Sequence, residues 1–143
     1  MDAPSGQPDK AVTGTPHGRE TVLVVEDDEA VRELAREILE KNGYTVLEAR
    51  HGVEALLISD RHTGPIHLLL TDVIMPQLNG RGLAQRLTSL RPDTKVLYMS
   101  GYTTKDLISH GMLDQGVAFL QKPFTPDGLA LKVRQILDAP RQG

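Results

Sequence analysis

Short apolar runs rich in β-branched residues alternate with longer amphipathic stretches along this chain from residue 21 to about residue 139. The runs lie near 21–25, 44–48, 67–71, 95–99 and 117–120, lengths that suit strands better than helices. After the first run, Val31, Leu34, Ala35, Ile38 and Leu39 recur at helical spacing, and Asn42-Gly43 supplies a stop. A second helix is predicted over about 53–60. A third spans 80–90 and ends at Arg91-Pro92, because proline disfavours helical backbone in the residue before it. The stretch 105–115 predicts a fourth, although Gly111 interrupts it and its apolar positions are sparse. Pro126 opens a final helix, with Thr125 as its N-cap and Leu129, Val133, Ile136 and Leu137 on its buried face. Repeated βα units of this kind belong to the α/β class, and right-handed crossovers with helices on both faces make a doubly wound, five-stranded parallel sheet with five helices the economical solution.

Composition narrows the picture. Residues 1–19 are rich in proline, glycine and polar side chains and cannot bury enough surface to order themselves, so they are expected to be a linker or tail, either a tether to an upstream domain or a cloning remnant. The folded domain is expected over 20–139, followed by a short tail at 140–143. With 143 residues, 39% of them apolar and 24% charged, the chain fits one domain with a real core and has no room for a second. A net charge of -3 with scattered Lys and Arg lacks the electrostatic footprint of a nucleic-acid binder, and no DNA-binding output region is expected. The absence of cysteine excludes disulfides and thiolate metal sites, in keeping with a reducing cytosol. The apolar runs fall far short of the roughly 20 residues that span a bilayer, and no apolar signal segment opens the chain, so a cytoplasmic location is expected.

Chemistry collects at the ends of the predicted strands. Asp72 closes the third run and is followed by Val73, Ile74, Met75 and Pro76; Glu26, Asp27 and Asp28 follow the first run, Ser100 the fourth, and Lys122-Pro123 the fifth. Singly, each has an ordinary reading: an acid that caps a helix, a serine that begins a turn, a solvated lysine. Asp28 is best explained as such an N-cap or first-turn acid. Sites in an open parallel sheet form outside the carboxyl ends of its strands, however, which would bring these groups together. Glu26, Asp27 and Asp72 in one crevice would repel one another, and Mg²⁺ suits as the remedy because it takes oxygen ligands and needs only one or two carboxylates beside its waters. The set has the composition of a metal-assisted phosphoryl acceptor, with Asp72 as nucleophile forming an aspartyl phosphate and Lys122 and Mg²⁺ supplying positive charge. His17, His51, His62, His67 and His110 are scattered, and none is expected to ligate metal or donate phosphate.

In this order, the pair Glu26-Asp27, Asp72 with Met75-Pro76 and Gly80 behind it, Ser100-Gly101, and Lys122-Pro123-Phe124 resemble the receiver domain of bacterial two-component response regulators, the fold of the chemotaxis response regulator, from Glu20 to about Ala139. The wording at 99–103 and 119–125 is similar to receivers at the C-terminus of hybrid histidine kinases. The resemblance implies a flavodoxin-like sheet of strand order 2-1-3-4-5. It implies metal ligation by Asp27, Asp72 and the backbone carbonyl of Ile74, with Glu26 acting through water or from behind the ligands. It further implies that Ser100 donates a hydrogen bond to the phosphoryl oxygen, that Phe119 moves inward with it as a two-part switch, and that the Lys122-Pro123 peptide is cis. Phe119 has no hydroxyl, so any hydrogen bond made by a tyrosine at that place in relatives is lost. The implied partner is a histidine kinase or histidine phosphotransfer protein, met through the first helix or through the face of the fourth helix, fifth strand and fifth helix. No direct contact with nucleic acid or membrane is expected, and the oligomeric state is left open.

Ile74 and Tyr102 follow Asp72 and Ser100 by two residues each; both are bulky and neither is a base, which predicts slow access of hydrolytic water and a long-lived phosphoaspartate. The resulting expectation is a phosphorelay switch that catalyses its own phosphorylation and dephosphorylation without turning over an external substrate. An Mg²⁺-dependent phosphohydrolase of the haloacid-dehalogenase type would need an acid at position 74, where Ile74 stands. A phosphate-independent interaction module is the other rival. Between a stand-alone regulator and the receiver of a hybrid sensor histidine kinase, the wording at 99–103 and 119–125 favours the hybrid.

Overall fold

The computed structural model describes residues 18–140. The strands are β1 (Thr21–Val25), β2 (Thr45–Ala49), β3 (Leu68–Asp72), β4 (Lys95–Ser100) and β5 (Phe119–Gln121), and the helices are α1 (Glu29–Lys41), α2 (Gly52–Arg61), α3 (Gly80–Leu90), α4 (Thr104–Ser109) and α5 (Pro126–Asp138). All strands pair in parallel, in the order β2-β1-β3-β4-β5. This is the doubly wound sheet that the alternation predicts, in the flavodoxin-like order that the resemblance implies. Of the expected tails, 1–17 and 141–143 lie outside the described residues; Gly18 is packed, its N–H donating to the Asn42 carbonyl at 3.0 Å.

The central strands are apolar on both sides because both sheet faces are covered. Val22, Val24, Leu68, Leu70, Leu97 and Met99 face α1 and α5, where they meet Ala35, Ile38, Leu39, Leu129 and Val133. Leu23, Val25, Leu69 and Tyr98 face the other way, toward Ala55, Leu83, Leu87 and Leu107 of α2, α3 and α4. Each fully buried leucine contributes about 2 kcal/mol of burial free energy. On α1 the apolar stripe is wider than the buried face, and Leu34 stays 43% exposed.

Helix ends follow local chemistry. Asp28 caps α1 by accepting from the N–H groups of Ala30 and Val31, and Thr125 caps α5 by accepting from Gly128. α1 closes with Gly43 at φ 96, its N–H donating to Glu40 and that of Tyr44 to Leu39. This paired closure needs a left-handed residue, which glycine adopts without steric cost. The same motif corrects the expected helix over 105–115: Gly111, at φ 73, donates to Ile108 while Met112 donates to Leu107, which ends α4 at Ser109. The expected strand over 117–120 is also corrected. The chain turns at Gly116 (φ 80) and joins β4 only from Phe119 to Gln121.

Three long cations tie the far side of the molecule. The Lys95 ammonium donates to the carbonyls of Ile136, Leu137 and Ala139, covering the C-terminus of α5. Arg134 forks onto Glu20, with its Nη1 and Nη2 at 3.2 and 2.7 Å, and this hydrogen-bonded pairing pulls the Glu20 carboxyl down to about 2. Arg91 clamps the end of α2: Nε donates to Ser59 Oγ (2.8 Å), Nη1 to the Gly64 carbonyl (2.8 Å), and Nη2 to the carbonyls of Ser59 and His62 (both 2.9 Å). Among the described residues no helix is long and apolar enough to cross a membrane.

Arg91→Ala should lower the free energy of unfolding by about 2 kcal/mol in urea titrations, because it strands several polar groups of the α2 end at once. Arg91→Lys should recover little, since an ammonium cannot reproduce the planar fork. A loss below about 0.5 kcal/mol, the scale of an ordinary surface substitution, would mean that water replaces the clamp.

Candidate functional site

The carboxyl ends of β1 and β3 are adjacent in the sheet, Val25 standing opposite Thr71, so the residues that follow β1 and close β3 meet at one edge of the molecule. One carboxylate oxygen from each of Glu26, Asp27 and Asp72 lies within 4.8 Å of the others. Glu26 and Asp72 are buried, at 1% and 7% exposure, while Asp27 opens to solvent. Lys122 follows the end of β5 directly and is joined to Pro123 by a cis peptide. Its ammonium stands 2.8 Å from Glu26 Oε1 and 3.2 Å from Asp72 Oδ1. Four of the residues singled out in the sequence thus gather in one crevice, with Lys122 touching Glu26 and Asp72.

Two of the three carboxylates pair with one ammonium here, and the electrostatics follow. Burial pushes the Asp72 carboxyl up from its ordinary value, against the pull of Lys122. Glu26 is pushed up by burial too, despite its short bond to Lys122. For Lys122 burial acts to lower the pKa, but the hydrogen bond to Glu26 and the charge of Asp72 outweigh it and leave the ammonium above its ordinary value. Glu26 has its second oxygen occupied as well, Oε2 accepting from the Asp28 N–H at 3.1 Å. Asp27 and Asp72 therefore have more free acceptor capacity than Glu26.

Ser100 ends β4 beside this cluster, 2% exposed. Its hydroxyl accepts from the Tyr102 N–H (3.1 Å), and its carbonyl accepts from the Lys122 N–H (2.8 Å). Its place in the sheet puts it at the acidic end, but its hydroxyl is engaged with its own loop. Phe119 sits lower on β5, half-buried, against the apolar cluster that contains Tyr98 and Leu107. Ile74 (44% exposed) and Tyr102 (60% exposed) flank the end of β3 and line one open cavity of about 580 Å³ together with Asp106, Leu107, His110 and Met112.

The loop after Asp72 is tightly drawn. The Gly80 N–H donates to the Val73 carbonyl at 2.8 Å, and a side chain at Gly80 would collide with the Asp72 carbonyl, so α3 can start directly beneath the acid only with glycine there. Gln77 turns the loop at φ 70, an uncommon setting for a residue with a side chain.

Sequence reasoning passes over two side chains that brace the loops of the site. The Arg32 Nη1–H donates to the Glu26 carbonyl at 2.9 Å. The Gln121 amide donates to the carbonyls of Gly101 (2.9 Å) and Ser100 (3.3 Å). Both bond to backbone, which leaves no trace in residue type. Two histidines likewise act as acceptors in the frame: His67 Nδ1 takes the Thr21 N–H, and His51 Nδ1 caps α2 through Glu54.

With chelator present, Asp72→Asn should raise stability at neutral pH. The folded carboxyl has a pKa above its unfolded value, so its ionisation costs the fold stability as pH rises through and beyond the carboxylate range. Below that range Asp72 is protonated in both states and the gain should vanish. Urea unfolding at neutral and at acid pH reads this directly; a variant less stable than the parent at neutral pH would show that the Lys122 pair outweighs burial.

Comparison with known proteins places this geometry. The profile of the response regulator receiver domain matches residues 22–134. The sensor kinase CckA of Brucella abortus (strain 2308) is 37% identical over 139 residues, which is 96% of this chain but only 15% of the kinase. The response regulator receiver protein CpdR of the same organism is 32% identical over 118 residues, covering 82% of this chain and 97% of CpdR. Among solved structures, the receiver domain from the hybrid histidine kinase CckA superposes with a TM-score of 0.69 at 40% identity, covering 82% of this chain and 99% of that one.

Proposed function

Because the chain belongs to the response regulator receiver domain family of two-component signalling, we propose that its acidic crevice is a phosphoryl acceptor site with Asp72 as the acceptor. The observation that carries this reading is the meeting of Asp72, Asp27 and Glu26 within 4.8 Å, with the Lys122 ammonium 3.2 Å from Asp72. An Asp72 carboxylate oxygen forms the new P–O bond while the P–N bond to the donor imidazole breaks, its electron pair returning to nitrogen. Transfer of this kind has a loose transition state with charge spread over the peripheral oxygens, so fixed positive charge does most of the work, and Lys122 holds one.

The donor set fits Mg²⁺: all ligand atoms are oxygens, two carboxylates have free capacity, and the exposure of Asp27 leaves room for the waters that this ion retains. Asp27, Asp72 and the carbonyl of Ile74 would hold it, with Glu26 behind them tied to Lys122. When bound, Mg²⁺ offsets the excess negative charge of the crevice and of the incoming phosphoryl oxygens.

Ser100 and Phe119 are the proposed switch. The Ser100 hydroxyl leaves the Tyr102 N–H to donate to the phosphoryl group, and Phe119, half-buried beneath, follows into the space. A histidine kinase or histidine phosphotransfer protein supplies the phosphoryl group in the cytoplasm. The likeness to CckA, which spans nearly the whole of this chain, supports the receiver of a hybrid sensor histidine kinase as the parent architecture. The coverage of CpdR supports a stand-alone regulator as the alternative.

Incubation with Mg²⁺ and acetyl phosphate should add one phosphoryl group by intact mass, and EDTA or Asp72→Asn should abolish the gain. A folded protein that gains nothing would favour a phosphate-independent interaction module. The label should also persist: loss of phosphate from the parent protein in Mg²⁺ buffer is expected to be several-fold slower than from an Ile74→Asn, Tyr102→Glu double variant, in which polar side chains would admit and orient water. Equal decay rates would remove Ile74 and Tyr102 from the control of lifetime.

A further inference from the structure

Arg32 lies in the first turn of α1 with its side chain only 12% exposed, and nothing in the phosphoryl-transfer scheme uses it. Its Nη1–H donates to the backbone carbonyl of Glu26 at 2.9 Å, and its Nε lies 3.4 Å from Glu48 Oε1 on β2. The other oxygen of Glu48 pairs with Arg36 Nε at 3.1 Å, and Arg36 also reaches Glu40 one helical turn on. The carbonyl held by Arg32 belongs to the peptide that joins Glu26 to Asp27. Glu26 is otherwise anchored by its N–H, which donates to Ala49 at 3.1 Å, and by its side chain. Asp27, exposed at the surface, depends on that peptide plane for the direction in which its carboxylate leaves the chain.

We propose that Arg32 is a positioning residue for the acidic pair: by holding the Glu26 carbonyl, and being aimed in turn by Glu48, it orients Asp27 and so sets the affinity of the crevice for its divalent cation. The inference rests on Asp27 and Asp72 being the Mg²⁺ ligands. Residues that orient metal ligands from behind typically change affinity by about 10–100-fold when removed. The sign of the effect separates positioning from plain electrostatics. Arg32 is a cation near a cation site, so on charge alone its removal would tighten Mg²⁺ binding. Positioning requires that binding weaken instead.

The test is calorimetric titration of the full chain with MgCl₂, together with the Mg²⁺ dependence of phosphorylation by acetyl phosphate. Arg32→Gln should bind Mg²⁺ about tenfold more weakly or worse, and should need correspondingly more Mg²⁺ for half-maximal phosphorylation while the rate at saturating Mg²⁺ is retained. Arg36→Gln removes a charge from the same network without touching Glu26, and should bind Mg²⁺ no more weakly than the parent. Equal or tighter binding by Arg32→Gln overturns the proposal, as does equal weakening in Arg36→Gln. Should Arg32→Gln fail to fold by circular dichroism, Glu48→Gln decides against Glu40→Gln, which removes an acid from the same network without touching Arg32: a several-fold greater loss of affinity in Glu48→Gln supports the orienting chain, and an equal or absent loss overturns it. If the parent itself binds no Mg²⁺, the assignment of Asp27 and Asp72 as ligands falls first and this inference with it, whereas parental binding with an unaffected Arg32→Gln sinks the Arg32 role alone.

Discussion

A single ammonium group stands between two buried carboxylates that would otherwise repel each other across the end of the sheet. Lys122 Nζ is 2.8 Å from Glu26 and 3.2 Å from Asp72, although 96 residues separate Lys122 from Glu26 in the chain. The arrangement requires that β1, β3 and β5 all point the same way, since reversing any of them would carry its charged end to the opposite side of the molecule. The parallel topology and the order β2-β1-β3-β4-β5 are therefore conditions for the crevice as much as products of core packing. One cation against three acids leaves the balance negative, which makes this end of the fold receptive to positive charge.

The opposite side of the molecule handles polarity differently. There the cations are saturated: Arg91 donates four hydrogen bonds, Lys95 covers three carbonyls, and Arg134 is shared between Glu20 and Asp138. A satisfied guanidinium rigidifies what it touches because its planar fork fixes several partners together. The molecule thus combines a closed polar frame with a crevice whose acceptors exceed its donors.

The legibility of these features from sequence varied with the kind of partner involved. The strands over 21–25 and 95–99 could be read because burial on both faces demands unbroken apolar runs, and Asp28 and Thr125 could be read as caps because their role depends on neighbours two or three residues away. The acids, Ser100 and Lys122 were legible because each follows or closes a run, so strand direction placed them on one edge and the strand order implied by the receiver resemblance brought them together. Residue 115 failed as a helix end because Gly111 completes a closure that local apolar spacing does not encode. Arg32 and Gln121 were silent for a deeper reason. Their partners are main-chain carbonyls, present at every residue, so nothing in the amino-acid types marks the pairing.

The closure at Gly111 leaves α4 only six residues long, with Leu107 as its one buried residue and Thr103 as its cap. Arg81 tethers the segment just beyond it, bonding the Gly111 carbonyl and Asp114. A charge arriving at Asp72 can redistribute only a few kcal/mol through new hydrogen bonds, roughly the 1.5–3 kcal/mol typical of bonds to charged groups. α1 and α5, each anchored by several fully buried side chains, lie outside the reach of so small an energy. α4 is matched to it. If the acidic crevice takes on a charge, the shortest of the described helices is the element whose hold is weak enough to answer it.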